Sequence, residues 1–330
     1  MSSVRVGFIG CGTHATQNLY PCLRYAPCEL VAVADLYEER REYCKRVFGA
    51  QRAYDDGEKL LDQESLDAVL ICGPADMHHR LALSALRRGL HVFTDKPPAP
   101  SLTGAIELRE AARESERICM VGLMKRFAQK YVLAKQLAEG EEFGGLTHVL
   151  VRYSYAVSMD LHEILLGVSI HAVDLALHFL GDIRCVQVLR GEGPGDGVLN
   201  LAVNLLDSNG ATGTVIMSNV AAAVTERVEL TGRGAHIVID EVASLAYYPP
   251  ATKAWRAPRR VVYEPNFPLQ TRENSALELQ GYAGEVVAFV EAVEAGHAPA
   301  CATIEDAVRT LRVLEAIEAC PRGERAIESE

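Results

Sequence analysis

A short apolar run, Val4 to Ile9, leads directly into Gly10-Cys11-Gly12-Thr13-His14-Ala15, and this junction constrains the fold more than any other stretch of the chain. Small residues recur as Gly10-x-Gly12-x-x-Ala15 where a strand must turn sharply into a helix. Gly10 permits the tight turn, Gly12 lets the backbone approach a diphosphate, and Ala15 lets helix and strand pack closely. The N–H groups freed at the helix start, together with the helix dipole, favour an anion there. Gly10, Cys11, Gly12, Thr13 and His14 are therefore expected to cradle a dinucleotide.

The pattern downstream supplies the context this loop needs. Strands at Leu30 to Ala34, Ala68 to Cys72, His91 to Thr94 and Ile118 to Val121 alternate with helices from about Ala15, over Glu38 to Val47 and over His79 to Arg88. Continuous apolar strands joined by helices predict an α/β, doubly wound parallel sheet of Rossmann type. Asp35 ends the second strand, where an acidic side chain hydrogen-bonds the adenosine ribose hydroxyls and repels a 2′-phosphate, so NAD is expected over NADP. The other reading of Asp35 is a helix N-cap. Arg40 and Arg41 either soften the preference for NAD or sit on the solvated face of a helix rich in Glu and Arg.

After Gly122 the texture changes to longer alternating stretches at Thr147 to Tyr155, Arg184 to Arg190, Val198 to Leu206, Thr212 to Ser218, Thr225 to Thr231 and Ala235 to Asp240. Turn signals at Asp207-Ser208-Asn209-Gly210 and Gly232-Arg233-Gly234 give them antiparallel character. The expected division is a dinucleotide domain over 1–122 and an α+β domain with a large, mostly antiparallel open sheet over 123–330. Helices are expected over Glu278 to Ala295 and Thr303 to Ala319, the second packing back on the first domain. Pro249 to Gln270 reads as irregular, and the residues after Cys320 as a fraying end. The apolar outer face of an open sheet suits self-association.

Composition removes several function classes. A net charge of −11 without a basic stripe argues against nucleic acid, and the one cationic stretch, Arg256 to Arg260, is interrupted by Pro258. Nine cysteines without a CxxC pair read as buried small residues of a reducing compartment, with neither disulfides nor a metal site. The first residues run straight into a strand, and no apolar run is expected to reach membrane-spanning length, so a cytoplasmic protein is expected.

Cys72-Gly73-Pro74 with His78, and Thr94-Asp95-Lys96-Pro97-Pro98, both follow strands and so fall at the carboxyl edge of the sheet, where ligands bind in open α/β folds. A lysine at such an edge is rarely needed for packing. With Arg126-Phe127, Ile170-His171-Ala172-Val173-Asp174, Tyr282-Ala283-Gly284-Glu285 and Ile304-Glu305-Asp306-Ala307, these motifs occur in the order and spacing of a known family. The chain resembles the glucose-fructose oxidoreductase / inositol dehydrogenase (Gfo/Idh/MocA) family over nearly its whole length.

The resemblance implies hydride transfer between nicotinamide and the carbinol carbon of a sugar, cyclitol or similar small polyol, by a homodimer or homotetramer. It makes Lys96 the hydrogen-bond donor to the reacting oxygen and His171 the proton acceptor. It places Gly73, Pro74, His78 and Asp95 at the cofactor. A histidine that titrates near neutrality and a lysine held in a desolvated place suit those tasks. From the residues alone His171 reads first as a satisfied core histidine of an apolar helix from about Leu165 to Leu180, and only the resemblance makes it a site residue; Asp174 either orients His171, contacts substrate or makes a structural hydrogen bond. Arg126, Tyr153, Tyr155, His162, His171 and Tyr282 are candidate substrate neighbours, with surface roles the alternative for the tyrosines and His162.

Three departures stand out: Gly167 where a carboxylate is common four residues before the histidine, Ser169 where a glycine is common, and Asp95 in place of Glu. Asp160, His162 and Glu163 are the residues placed to compensate. The same fold also serves dinucleotide-binding sugar sensors without turnover and NAD-dependent glycosidases.

Overall fold

The computed structural model describes residues 3–156, 159–191, 198–250, 260–264, 272–320 and 323–328. Its contacts group the chain into two units, Met1–Phe127 with Gly281–Val308, and Ala128–Gln280 with Arg309–Glu330. Sequence texture draws one boundary at residue 122, whereas the chain returns to its first unit near the end, which no change of composition announces.

The first unit holds β1 (Val4–Ile9), β2 (Cys28–Ala34), β3 (Arg52–Tyr54), β4 (Ala68–Ile71), β5 (His91–Thr94) and β6 (Cys119–Val121). They form a parallel six-stranded sheet in the order β3-β2-β1-β4-β5-β6. Every residue of β4 is buried, as a parallel sheet covered on both faces requires. The strand order reverses between β1 and β4, and the crevice at their carboxyl ends is the ligand position of such sheets.

The helix expected from His79 begins at Ala75, because Pro74 takes the N-cap place with an extended backbone. The helix after the glycine loop is irregular: a π-helical turn, Ala15–Leu19, passes into a 3-10 turn, Tyr20–Tyr25. Pro21 has no N–H to continue an α-helical ladder. Tyr20 nevertheless fills the core, stacked between Phe8 at 3.9 Å and Phe48 at 4.7 Å. The helix expected over Glu278 to Ala295 is two, Arg272–Leu279 and Tyr282–Ala295, interrupted at Gly281 with φ of +96°. The second of these belongs to the first unit, where Phe289 meets Phe93 of β5 with ring centroids 5.8 Å apart.

The second unit holds β7 (Leu146–Ala156), β8 (Ile183–Gly191), β9 (Asn200–Asp207), β10 (Thr212–Ser218), β11 (Val220–Gly232), β12 (His236–Asp240), β13 (Ser244–Tyr248), β14 (Val261–Tyr263) and β15 (Gly323–Glu328). The nine-stranded sheet runs β14-β13-β12-β11-β7-β10-β9-β8-β15, antiparallel except between β7 and β10. Along β7, Val149, Val151, Tyr153 and Tyr155 are buried while the residues between them are half-buried or exposed, so one face is covered and the other open. At the β9–β10 turn, Asp207 accepts the N–H groups of Asn209 (2.9 Å) and Ala211 (2.7 Å), and Gly210 takes φ of +91°.

Two expectations change here. The segment after Cys320 contains β15, paired with β8 over six residues. The helix Leu161–Leu180 is long and apolar enough to cross a membrane by length and composition, contrary to the sequence reading, and 67% of its most apolar window is buried within the protein. It is interrupted by a π-helical turn at Leu165–Ser169. Of Pro249 to Gln270, residues 249–250 and 260–264 are described and include β14, whereas 256–259 of the cationic stretch lie outside the described residues. All nine cysteines are free thiols.

Candidate active site

In the first unit the glycine loop, the end of β2 and the end of β4 enclose one cavity of about 540 Å³. Gly10, Gly12, Asp35, Tyr37, Arg40, Asp55, Gly73, Pro74 and Met77 are among its walls. Gly10 has φ of +104°, and a Cβ there would lie 1.9 Å from the Cys72 carbonyl oxygen, so only glycine lets β1 pass β4 at this point. Around Gly12 a Cβ would meet nothing within 4 Å. That open space over the helix start leaves room for an anion to approach the backbone. Gly12 O accepts the Thr16 N–H at 3.0 Å, which leaves the first-turn N–H groups of Thr13 and His14 without an intrahelical acceptor by position.

Asp35 does more than face the cavity. Its Oδ2 accepts the Cys11 N–H at 2.8 Å and its Oδ1 accepts the Tyr37 N–H at 2.9 Å, so one carboxylate ties the glycine loop to the end of β2. Each oxygen keeps a second lone pair for a ribose hydroxyl. Cys11, expected among the cofactor contacts, fastens the loop instead: its N–H is held by Asp35 and its thiol lies 3.3 Å from the Tyr20 hydroxyl. Arg40 lies over the Tyr37 ring, 4.6 Å from its centroid, at the wall of the same cavity.

His78, expected at the cofactor, has two partners within the protein. It is fully buried; its Nε2 accepts the Gly73 N–H at 2.7 Å, and its Nδ1 donates to the Pro97 carbonyl at 2.8 Å. Burial pushes its proton affinity down, so the neutral ring fits both bonds. His78 therefore pins the loop after β4 to the loop after β5. Sequence alone marks a histidine near a sheet edge, and burial turns it from a contact into a brace.

At the end of β5, Asp95 is buried and its Oδ1 accepts the Lys96 N–H at 2.8 Å, while His14 Nε2 lies 3.4 Å from its Oδ2. Burial lowers the proton affinity of Lys96, and the charges of Asp95, Cys72 and Glu285 act against that shift. A desolvated ammonium of this kind can stabilise a developing oxyanion. Arg126, expected to line the substrate, is 5% exposed and its guanidinium lies 2.9 Å from buried Asp306. Asp306 also accepts from the Thr303 N–H and hydroxyl, so the arginine is committed to seating the start of the last helix.

In the second unit His171 is 9% exposed and is the second residue of the α-helix Ile170–Leu180, which follows the π-helical turn. Turns of this kind cluster at functional sites. Asp174 is buried, and its Oδ1 accepts the Thr310 hydroxyl at 3.0 Å, the structural bond among its three readings. Tyr155 is fully buried with its hydroxyl 2.9 Å from the Ser169 hydroxyl, and Ser169 has a partner that a glycine would lack. His162 is exposed and its Nδ1 lies 2.9 Å from a Glu318 carboxylate oxygen. A Cβ at Gly167 would meet nothing within 4 Å.

Sequence reasoning missed Tyr37, Asp55 and Met77 in the cavity wall, for which no local signal exists. It named Glu285 only within a family motif and gave it no site role, because it reads as an ordinary first-turn acid, and it is buried. Among the described residues no group of three or more His, Cys, Asp or Glu side chains could hold a metal ion.

Comparison with known proteins agrees with this architecture. A family model described as "Oxidoreductase family, NAD-binding Rossmann fold" matches residues 4–123, and its companion, "Oxidoreductase family, C-terminal alpha/beta domain", matches residues 164–324. The myo-inositol 2-dehydrogenase of Thermotoga maritima is 26% identical over 321 residues, covering 90% of each protein. The scyllo-inositol 2-dehydrogenase (NAD(+)) of Bacillus subtilis is 28% identical over 192 residues, so the alignment spans 54% of each. The crystal structure of a dehydrogenase from Chromobacterium violaceum superposes with a TM-score of 0.87 at 26% identity, covering 97% of this chain and 95% of that one. The cavity at Gly10, Gly12 and Asp35 lies within the span matched by the NAD-binding Rossmann model, and the chain belongs to the Gfo/Idh/MocA family of NAD-binding oxidoreductases.

Proposed function

We propose that this protein is an NAD(H)-dependent dehydrogenase or reductase acting on the carbinol or ketone carbon of a sugar, cyclitol or sugar derivative. The observation that carries the reading is Lys96 at the carboxyl end of β5, desolvated beside Asp95 and on the same sheet edge as the NAD cavity. The inositol dehydrogenases among its relatives support the substrate class. NAD held by the glycine loop and Asp35 supplies the hydride acceptor. Lys96 donates a hydrogen bond to the substrate oxygen and stabilises negative charge as it develops there, an effect strengthened by exclusion of water. His171 accepts the hydroxyl proton and returns it in the reverse direction. Asp174, anchored to Thr310, sets the helix turn that carries His171.

A second reading, NAD binding without turnover, is favoured by one feature: Gly167 offers no carboxylate before His171. Absorbance of reduced nicotinamide across a panel of cyclitols, aldoses and sugar derivatives separates the two. Net reduction of NAD with at least one polyol is the expected result. NAD binding with no reduction across the panel contradicts the proposal in favour of the second reading, and sugar release without net reduction points to a glycosidase.

A further inference from the structure

The helix Tyr282–Ala295 presents Tyr282, Glu285 and Phe289 on one face, at i, i+3 and i+7. Both ends of that face are placed. Tyr282 meets the His14 ring edge-on at 5.8 Å, and His14 in turn lies 3.4 Å from Asp95; Phe289 meets Phe93, on the strand that ends in Asp95 and Lys96. The helix is also held close, since a Cβ at Gly284 would lie 2.9 Å from the Phe127 Cβ. Glu285 lies between these two anchors, 1% exposed, and its Oε2 has no hydrogen-bond partner among the described residues.

A buried carboxylate oxygen without a partner costs stability, because it forfeits its hydration. A glutamine or an apolar side chain would serve packing alone at least as well. We propose that Glu285 is a positioning residue for Lys96: its buried carboxyl sets how firmly the sheet-edge ammonium holds its proton. This role rests on the reading of Lys96 as the group that meets the substrate oxygen.

The groups facing Glu285 define the sign. Asp95 and Lys96 act on it from the end of β5, and its charge reaches Cys72 after β4 and Cys22 in the turn Tyr20–Tyr25. The packed segment Met124–Phe127 contributes Lys125 and Arg126, the latter committed to Asp306. Burial first, and the Asp95 charge second, hold the Glu285 carboxyl well above the usual range, while Lys96 opposes them. A charged Glu285 acts to raise the proton affinity of Lys96, behind the larger contributions of Asp95 and Cys72.

Acetylation of Lys96 by acetic anhydride as a function of pH, read by mass spectrometry of the peptide that contains it, tests this without any turnover. Failure of the proposal is thereby distinguishable from failure of the enzymatic reading. Glu285→Gln removes the charge at nearly constant shape and is expected to move the midpoint of Lys96 reactivity down by a fraction of a pH unit. If Glu285→Gln does not give a wild-type circular dichroism spectrum, Glu285→Met carries the same expectation. A merely structural Glu285 lowers the melting temperature and leaves the midpoint unchanged, and that result overturns the proposal.

Discussion

Around Gly10 the first unit is shaped by backbone, whereas around His171 the second unit is shaped by side chains that already have partners. A Cβ at Gly10 would run into the Cys72 carbonyl, and Asp35 and His78 fasten the neighbouring loops through N–H and carbonyl groups. In the second unit the corresponding information is held by pairs: Tyr155 with Ser169, Asp174 with Thr310, His162 with Glu318. Backbone geometry admits few substitutions, so it leaves a fixed spacing in the sequence. A side-chain pair can be rebuilt from other residues, so its members say little until both are seen together.

This contrast can be broken by substitution. The two loop glycines give the largest effect and separate two kinds of constraint. Gly10→Ala places a Cβ on backbone at a positive φ and is expected to cost more than about 3 kcal/mol, read as loss of soluble protein or a collapsed melting temperature. Gly12→Ala meets open space and should melt as wild type, yet weaken NAD binding on the order of tenfold or more, about 1.4 kcal/mol, by filling the diphosphate cradle. Equal melting of both variants, or full NAD affinity in Gly12→Ala, would remove the backbone account of the loop.

A smaller effect is expected in the second unit. Tyr155→Phe leaves the buried Ser169 hydroxyl without this partner and should cost roughly 1–2 kcal/mol in denaturant unfolding, with NAD affinity unchanged. A loss of NAD affinity in that variant would show the two regions to be less independent than their bonding suggests.

What could be read from the sequence follows the same division. Gly10, Gly12 and Asp35 were legible because a turn into a dinucleotide fold needs those residue types at that spacing. The long strands β7 to β12 were legible from alternation and turn residues. Three-residue β3 and β14 are too short to show a period, and β15 follows a segment with no strand signal. The resemblance put His78 at the cofactor and made Arg126 a candidate substrate neighbour, but sequence does not show burial or partners: His78 braces two loops and Arg126 pairs with Asp306. Glu285 was given no site role for a related reason. A glutamate in the first turn of a helix is ordinarily exposed and favourable to the helix dipole, and nothing local reveals that this one is sealed inside.

The most direct test of the account is Lys96→Met, assayed in parallel for NAD binding by fluorescence titration and for reduced nicotinamide on the polyol that the wild-type protein turns over best. The account predicts NAD affinity close to wild type, because the cavity at Gly10, Gly12 and Asp35 is intact, with turnover lowered by about 10²–10⁴-fold. Undiminished turnover in Lys96→Met would contradict it.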